Sequence, residues 1–267
     1  NMSQNVLVVH GGGPTAVINA SLYGVIEEAK RNPEVGKVYG AIGGTGAIFS
    51  ETFIDLTSFD DEKLKLLLHT PASAIGSSRY PLYEKDYEKM VDIFKKHDIK
   101  YVLLNGGNGT MDACGHIYEV CKDQDIKVVG IPKTIDNDIA MTDHSPGYGS
   151  AARFIAASTQ EVGEDVKSLP IHVCIMEAMG RNAGWITAAS ALARRKQGDA
   201  PHLIYLPERN FNEDEFLEDV SRLQKKQGGV VVLVSEGLHD ANGESIVPPI
   251  FKSERAVYYG DVSSHLA

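Results

Sequence analysis

A lysine, a threonine and two aspartates lie close together in the segment 132–138, which has the sequence Pro-Lys-Thr-Ile-Asp-Asn-Asp. In an extended or turning segment, Asp136 and Asp138 point to the same side. One carboxylate could then hold Mg²⁺ while the other accepts a proton from an attacking hydroxyl group. A solvated turn rich in Asp and Asn is the structural alternative, but it does not require Lys133 and Thr134 directly behind an apolar strand. We therefore interpret this segment as catalytic.

Two glycine-rich segments each follow a predicted strand and precede a predicted helix. The segment 11–14 is Gly-Gly-Gly-Pro, with a helix expected to start near Thr15 or Ala16, and 105–110 is Asn-Gly-Gly-Asn-Gly-Thr. Glycine amides and helix N-termini bind phosphate groups, and two such loops on one sheet predict a polyphosphate ligand. We expect Thr110 to offer a hydroxyl group and to cap its helix. Ligand-free turns remain the alternative, and neither segment matches a dinucleotide or P-loop fingerprint.

Two arginines and a glutamate complete the candidate chemistry. Arg79 follows Gly-Ser-Ser and Arg181 follows Met-Gly, both in predicted loops. Guanidinium groups bind phosphate oxygens and stabilise charge in phosphoryl transfer, although a single arginine is more often part of a surface ion pair. Glu236, directly after an apolar strand, could accept hydrogen bonds from a sugar hydroxyl group, with an exposed acid at a strand end as the alternative.

Short apolar runs alternate with helical patterns along the whole chain, which predicts an α/β fold with a parallel sheet and crossover helices. Most of the runs are continuously apolar, so we expect both sheet faces to be covered. Ligands of such sheets bind at the carboxyl ends of the strands, where the candidate segments lie. The predicted strands are 5–10, 37–41, 101–105, 127–131, 172–176, 202–206 and 229–235. Core-facing helical stripes are predicted at Tyr87, Met90, Val91 and Phe94, and at Phe216, Leu217, Val220 and Leu223.

Composition excludes several classes of partner. The 267 residues are 43% hydrophobic and 23% charged, with 36 acidic and 26 basic residues and a formal net charge of -10. We find no basic patch for a nucleic acid and no apolar run long enough for a membrane helix. The three cysteines lack the spacing of a disulfide framework or a zinc site, so we expect thiols in a cytoplasmic setting.

These segments occur in the order seen in the phosphofructokinases, and the chain resembles that family over essentially its whole length, as a C-terminally truncated member. The resemblance implies two Rossmann-like three-layer α/β lobes with parallel sheets and an active site in the cleft between them. Residues 1–145 would bind the phosphoryl donor, and residues 146–267 the sugar phosphate. The implied reaction is glycolytic transfer of a phosphoryl group from ATP or pyrophosphate to the 1-hydroxyl group of fructose 6-phosphate, with Mg²⁺. The implied protein is a cytoplasmic homo-oligomer, a dimer or a tetramer.

The resemblance also implies roles for individual residues. Asp136 would be the general base, acting with Thr134 and Arg181 as the catalytic set, and Asn108 and Asp138 would be the metal-binding positions. The implied donor-binding residues are Gly12, Gly13, Arg79, Gly107, Asn108, Gly109, Thr110 and Lys133. The implied substrate-binding residues are Thr134, Asp136, Met179, Gly180, Arg181 and Glu236.

Three departures from the family pattern bear on activity. Asn108 stands where the ATP-dependent enzymes usually have an aspartate, and His172 stands near the position of an arginine that often contacts the sugar 6-phosphate. The chain also ends at Ala267, before a basic segment that family members use to hold this phosphate. A catalytically incomplete nucleotide-binding fragment is therefore an alternative to an active enzyme. An NAD-dependent oxidoreductase does not explain the segment 132–138 and lacks GxGxxG.

The identity of the donor depends on two positions. In the family, glycine at the position of Gly109 leaves room for ATP, whereas lysine at the position of Lys133 accompanies pyrophosphate use. We favour ATP slightly, because a steric block excludes a donor whereas an additional cation tolerates either one. Pyrophosphate is the alternative.

Overall fold

The computed structural model describes residues 4–170, 172–252 and 257–267. The chain divides into two compact units, Asn1–Thr134 and Ile135–Ala267. The segment 135–145, expected in the first lobe, groups with the second unit. The binding roles expected of the two lobes stay predictions.

The first unit is built on a five-stranded sheet with the order β3-β2-β1-β4-β5. Strands β1, β2, β4 and β5 are parallel, and the short edge strand β3 is antiparallel to β2. The strands are β1 (Gln4–His10), β2 (Val35–Ala41), β3 (Phe53–Asp55), β4 (Ile99–Gly106) and β5 (Lys127–Pro132). The helices are α1 (Ala16–Arg31), α2 (Gly46–Phe49), α3 (Asp61–Lys65), α4 (Glu84–Lys96) and α5 (Asn108–Cys121), with 3-10 turns at Leu56–Ser58 and Leu66–Leu68.

Both faces of this sheet are covered at its centre, as the continuously apolar strands predict, whereas the edge strand β5 keeps exposed residues. Successive side chains of a strand point to opposite faces. Leu7 and Val9 of β1 therefore belong to one buried cluster, which includes Phe94 of α4. Val6 and Val8 belong to a second cluster, packed against α1. The sheet is thus held from both sides, which fixes the carboxyl ends of β1 and β4 relative to each other.

The second unit contains a parallel three-stranded sheet with the order β6-β8-β7 and an antiparallel pair of strands, β9 and β10. The central strand β8 is fully buried, and its consecutive residues Val231 and Val232 belong to different apolar clusters. The strands are β6 (Val173–Ala178), β7 (Leu203–Tyr205), β8 (Val230–Ser235), β9 (Pro249–Lys252) and β10 (Val257–Tyr259). The helices are α6 (Tyr148–Ser168), α7 (Trp185–Ala189), α8 (Glu213–Gln227) and α9 (Val262–Leu266), with a 3-10 turn at Ser190–Ala193.

The α/β class with parallel sheets is confirmed, and all seven predicted strands are present within two residues of their expected ends. Strands β3, β9 and β10 were not predicted. One core assignment is wrong: Leu217 is 58% exposed, whereas its neighbour Phe216 is 2% exposed. Adjacent helical residues point about 100° apart, so the apolar stripe of α8 takes in only one of the two. No helix in the described parts of the chain has the length and apolarity needed to cross a membrane.

Candidate active site

The loops that follow β1 and β4 pack against each other through a threonine. The Gly11 N–H donates to the carbonyl oxygen of Asn105 at 3.0 Å. A Cβ atom at Gly11 or at Gly106 would overlap Oγ1 of Thr110, so this contact requires glycine at both positions. The expected capping role of Thr110 is wrong, because α5 begins at Asn108 with Gly107 as its N-cap. Thr110 lies inside the first helical turn and is 9% exposed, so it holds the two loops together.

The segment that carries Arg79 is attached to the first of these loops. The Ser77 hydroxyl group donates to the carbonyl oxygen of Gly12 at 2.7 Å. Ser78 forms a parallel β-bridge with Gly11. Arg79 itself is exposed, so its guanidinium group is open to solvent beside the glycine loop. This arrangement brings Arg79 to the edge of the sheet where the glycine-rich segments lie.

Lys133 projects from the end of β5 into the same group of loops. Its ammonium group donates to the carbonyl oxygen of Gly13, and its backbone N–H donates to the carbonyl oxygen of Gly106 at 2.9 Å. The residue is 6% exposed, so its positive charge is largely removed from water. Burial of an ammonium group is costly unless oxygen atoms solvate it. Lys133 therefore places a fixed charge among the loops of β1, β4 and β5.

His10, which the sequence analysis missed, lies beneath these loops at the end of β1 and is 0% exposed. Ser73 donates its hydroxyl proton to the carbonyl oxygen of Gly76 at 2.8 Å, so Nδ1 of His10 must be the donor in its 2.7 Å contact with Ser73. Burial, with a further contribution from the charge of Lys133, lowers the pKa of His10 to about 4. His10 is therefore neutral near pH 7 and leaves the positive charge to Lys133. The sequence signal that could have identified His10 is a histidine at the end of an apolar strand.

The predicted donor-binding residues all lie in the first unit, in these loops, in the first turn of α5 or in the attached segment 77–79. Gly109, the second residue of α5, has open space where a Cβ atom would lie, so packing does not require glycine there. The full set is Gly12, Gly13, Arg79, Gly107, Asn108, Gly109, Thr110 and Lys133.

The two candidate aspartates lie on either side of a residue with left-handed backbone geometry. Asn137 has a φ angle of 59° and is 6% exposed. Its Oδ1 atom accepts a hydrogen bond from the Ser145 N–H at 2.7 Å, and its Nδ2 atom donates to the carbonyl oxygen of Asp143 at 3.4 Å. A positive φ at Asn137 interrupts the alternation of an extended strand, and the expectation that Asp136 and Asp138 point to the same side stays a prediction. The side chain of Asn137 instead folds the segment back on itself, and both aspartates are half-buried.

The candidate catalytic segment 132–138 also crosses the boundary between the units. Thr134 is the last residue of the first unit, whereas Asp136 and Asp138 belong to the second. The other predicted substrate-binding residues, Met179, Gly180, Arg181 and Glu236, lie in the second unit at the carboxyl ends of β6 and β8.

Glu236 holds the turn that contains Arg181. The Gly180 N–H donates to Oε1 of Glu236 at 3.0 Å, and the hydroxyl group of Ser235 donates to the carbonyl oxygen of Gly180 at 2.9 Å. Gly180 has a φ angle of 111°, which an L side chain rarely adopts. Glu236 is thus a half-buried acid with a backbone partner, in contrast to the exposed strand-end alternative.

Two further contacts of this turn were missed by the sequence analysis. Oε1 of Glu208, three residues after β7, accepts a hydrogen bond from the Gly184 N–H at 2.6 Å. The guanidinium carbon of Arg181 lies 5.3 Å from the ring centroid of Tyr259 on β10. His172, by contrast, is exposed and precedes β6, at the end of the strand opposite to the turn. His172 is therefore not part of this cluster.

The acidic residues suit one mode of Mg²⁺ binding. The described residues contain no group of three or more His, Cys, Asp and Glu side chains that could hold a metal ion. Mg²⁺ is commonly bound through one or two carboxylates together with substrate phosphates and water. Asp136 and Asp138 supply two carboxylates within three residues, and this donor set fits that mode. Asn108 lies in the other unit, so its expected metal contact stays a prediction.

Comparison with known proteins gives consistent matches. A family model described as Phosphofructokinase matches residues 5–263. The chain is 42% identical over 259 residues to a pyrophosphate–fructose 6-phosphate 1-phosphotransferase of Rhodospirillum rubrum, covering 96% of this chain and 64% of the relative. It is 30% identical to an ATP-dependent 6-phosphofructokinase of Amycolatopsis methanolica, covering 88% of this chain and 52% of the relative.

Among solved structures, the pyrophosphate-dependent phosphofructokinase of Marinobacter aquaeolei matches with a TM-score of 0.78 and 40% identity. The match covers 89% of this chain and 61% of the solved one. The chain thus spans less than two thirds of the length of the relatives named as pyrophosphate-dependent.

Proposed function

We propose that this chain, which belongs to the phosphofructokinase family, transfers a phosphoryl group from pyrophosphate to the 1-hydroxyl group of fructose 6-phosphate. The observation that carries this proposal is the buried ammonium group of Lys133, held against the carbonyl oxygen of Gly13 among the glycine-rich loops. A cation in this place suits a small donor of high charge density, because pyrophosphate has no nucleoside to contribute apolar contacts.

The choice of donor departs from the preference for ATP that Gly109 suggested. The relatives at about 40% identity are named as pyrophosphate-dependent, whereas the ATP-dependent relative from Amycolatopsis methanolica is 30% identical. Open space at Gly109 means only that no side chain blocks a nucleotide at this position. Lys133, in contrast, provides a charge that pyrophosphate can use directly.

In the proposed mechanism, the carboxylate of Asp136 accepts the proton of the sugar 1-hydroxyl group as its oxygen attacks the transferred phosphorus atom. Arg79 and Arg181 stabilise the charge on the phosphoryl oxygens, and Lys133 stabilises the leaving phosphate. Thr134 would lie beside the transferred group. Mg²⁺, held through Asp138, would neutralise charge on the phosphates when bound.

The sugar phosphate would bind in the second unit. Met179 and Gly180 would line the sugar site, and Glu236 would accept hydrogen bonds from sugar hydroxyl groups with the oxygen that does not hold Gly180. A cytoplasmic homo-oligomer is part of the same proposal, and the three cysteines, which form no disulfide, are compatible with it.

The test is the steady-state kinetics of the full-length protein with pyrophosphate and with ATP. We expect a higher kcat/KM with pyrophosphate. We also expect Asp136→Asn to lower kcat by about 10²–10⁴-fold with little change in thermal stability, because it removes the proton acceptor and preserves the shape. Asp143→Asn, an exposed acid in the same loop, is the matched control.

Near-normal turnover of Asp136→Asn would remove Asp136 from the role of base. A higher kcat/KM with ATP than with pyrophosphate would mean that ATP is the donor. Turnover with neither donor would support the alternative of a catalytically incomplete nucleotide-binding protein.

A further inference from the structure

We propose that Tyr259 is a positioning residue that holds the guanidinium group of Arg181 in the orientation needed for phosphoryl transfer. This inference rests on the proposed function, in which Arg181 contacts the transferred phosphoryl group. Its basis is the position of the Arg181 guanidinium carbon, 5.3 Å from the centroid of the Tyr259 ring. Both residues belong to the second unit.

The backbone of Arg181 is fixed from several directions. Glu236 and Ser235 hold the preceding Gly180 on both its N–H and its carbonyl oxygen. A Cβ atom at Gly237 would overlap the carbonyl oxygen of Arg181, so the chain after β8 packs directly on the turn. Glu208 holds the far end of the turn at Gly184. The start of the Arg181 side chain therefore has a defined position.

The end of that side chain has a different kind of support. Arg181 is exposed, and no carboxylate in residues 4–170, 172–252 and 257–267 forms an ion pair with it. A long side chain of this kind samples many rotamers unless something restricts it. The ring of Tyr259 is the contact that restricts the guanidinium group in the described structure.

An aromatic ring restricts an arginine without using its hydrogen-bond donors. When a guanidinium group stacks on an aromatic ring, the ring contacts its flat face, whereas its five N–H donors lie in its plane and point outward. A carboxylate partner would occupy two of those donors and neutralise the charge. With Tyr259 as its support, Arg181 keeps both its charge and its N–H edge for phosphate oxygens.

Tyr259 is itself well anchored. It lies on β10, opposite Pro249 of β9, and packs against the apolar cluster that contains Phe211 and Phe216. The preceding residue, Tyr258, is 47% exposed and has its ring 6.0 Å from that of Phe251. Tyr258 therefore offers a control of the same residue type on the same strand.

The test measures kcat and KM of the full-length protein with pyrophosphate and fructose 6-phosphate. We expect Tyr259→Leu to lower kcat by about 3–10-fold, with little change in KM, because the guanidinium group loses its orientation in the transition state. Tyr259→Phe keeps the ring and should restore kcat to within about twofold of the unaltered protein. Tyr258→Leu should leave kcat unchanged.

A double-mutant cycle separates positioning from a structural role. In an Arg181→Ala background, Tyr259→Leu should cause no further loss of kcat. A loss that persists in this background, or that Tyr259→Phe fails to restore, would overturn the inference. If Arg181→Ala leaves kcat unchanged, the proposed role of Arg181 fails. If Arg181→Ala lowers kcat and Tyr259→Leu does not, only the positioning role of Tyr259 fails.

Discussion

Two nitrogen bases lie close together beneath the glycine-rich loops of the first unit, and only one of them carries a charge near pH 7. Burial lowers the pKa of His10 to about 4, and the neighbouring Lys133 charge contributes to this shift. The neutral imidazole can donate to Ser73, which supports the segment leading to Arg79. His10 therefore connects the core of the sheet to a loop with a proposed role in phosphate binding.

This arrangement predicts a specific loss of stability in acid. The unfolded chain binds a proton at His10 with the ordinary pKa of 6.5, whereas the folded chain does so only near pH 4. The unfolded state therefore binds more protons in this window, and the contribution of His10 to stability is complete above pH 6.5 and falls as the pH is lowered towards 4. At pH 5 the loss should be about 2 kcal/mol relative to pH 7.5.

The measurement is the free energy of unfolding in urea at both pH values, for the unaltered protein and for His10→Asn. Asn keeps a donor near the position of Nδ1 but does not titrate. The difference in unfolding free energy between the two proteins should shrink by about 2 kcal/mol from pH 7.5 to pH 5. A difference that does not change with pH would contradict the lowered pKa of His10.

A second prediction at this scale concerns Gly109. A Cβ atom there meets nothing within 4 Å, and the residue lies in the first turn of α5. Gly109→Asp should therefore fold, with a gain in stability of about 0.3–1 kcal/mol from the negative charge near the helix N-terminus. Gly109→Asp should lower the kcat/KM with ATP, because an added carboxylate repels a nucleotide phosphate. The kcat/KM with pyrophosphate should change by less than about threefold.

Gly11→Ala is the structural contrast, because its Cβ atom would overlap Thr110. We expect it to lower the melting temperature. Equal loss of both donor activities in Gly109→Asp would mean that donor choice does not depend on this position.

The sequence identified the charged and glycine residues of these loops by type, but it did not identify their supports. Lys133 and Gly13 are far apart in the chain, and their contact exists only because β1 and β5 belong to one sheet. His10 looked like part of an apolar strand, and its pKa depends on burial that the sequence does not report. Residue type therefore predicts the chemistry, whereas tertiary packing determines the protonation state.

At the scale of elements, the turns contribute more to the candidate site than the strands and helices do. Within the segment 135–147, the side chain of Asn137 bonds to the backbone of Ser145 and of Asp143. The residues between them, 138–144, include the fully exposed Met141. The position of both aspartates thus depends on a short-range hydrogen-bond pattern.

Asn137→Gly should loosen this segment. Glycine accepts the φ angle of 59° but cannot make the two side-chain hydrogen bonds. We expect limited proteolysis within 138–144 to be at least about threefold faster, with a lower kcat. Asn137→Asp keeps the acceptor for the Ser145 N–H, so it should change the proteolysis rate and kcat less than Asn137→Gly does. Unchanged proteolysis of Asn137→Gly would mean that contacts other than these two hydrogen bonds hold the segment.

Hydrophobic patterning predicted the parallel strands because each is a largely apolar run, from β8, which is buried throughout, to β5, which keeps exposed residues. It missed β9 and β10, which are both short. All four residues of β9 are exposed. An exposed strand has no apolar run or alternation to read, because its stability comes from pairing with a partner. Tyr259, the support of Arg181, lies in this pair and was missed for the same reason.

At the scale of the whole molecule, each unit has its own hydrophobic core. Two apolar clusters belong to the first unit and two to the second. Phe94 and Leu233 are fully buried members of clusters in different units. Truncation of either side chain should therefore weaken one unit more than the other.

Calorimetry of the chain should resolve this difference. Phe94→Ala should lower the midpoint temperature of the unfolding transition of the first unit, with a loss of about 3–5 kcal/mol in unfolding free energy. Leu233→Ala should lower the midpoint temperature of the second unit's transition, with a loss of about 2–5 kcal/mol. Hydrogen exchange would assign each transition to its strands, β4 or β8. A single transition that moves equally in both variants would show that the two cores unfold together.

The boundary between the units falls between Thr134 and Ile135, inside the segment 132–138. A chimaera with its junction at this boundary would inherit Lys133 and Thr134 from one parent and Asp136 and Asp138 from the other. Recombination between a pyrophosphate-using and an ATP-using parent would therefore exchange Lys133 and Thr134, with their proposed role at the donor, while keeping the proposed general base, Asp136. For a library of such hybrids, donor preference should follow the parent of the first unit, and the general base the parent of the second.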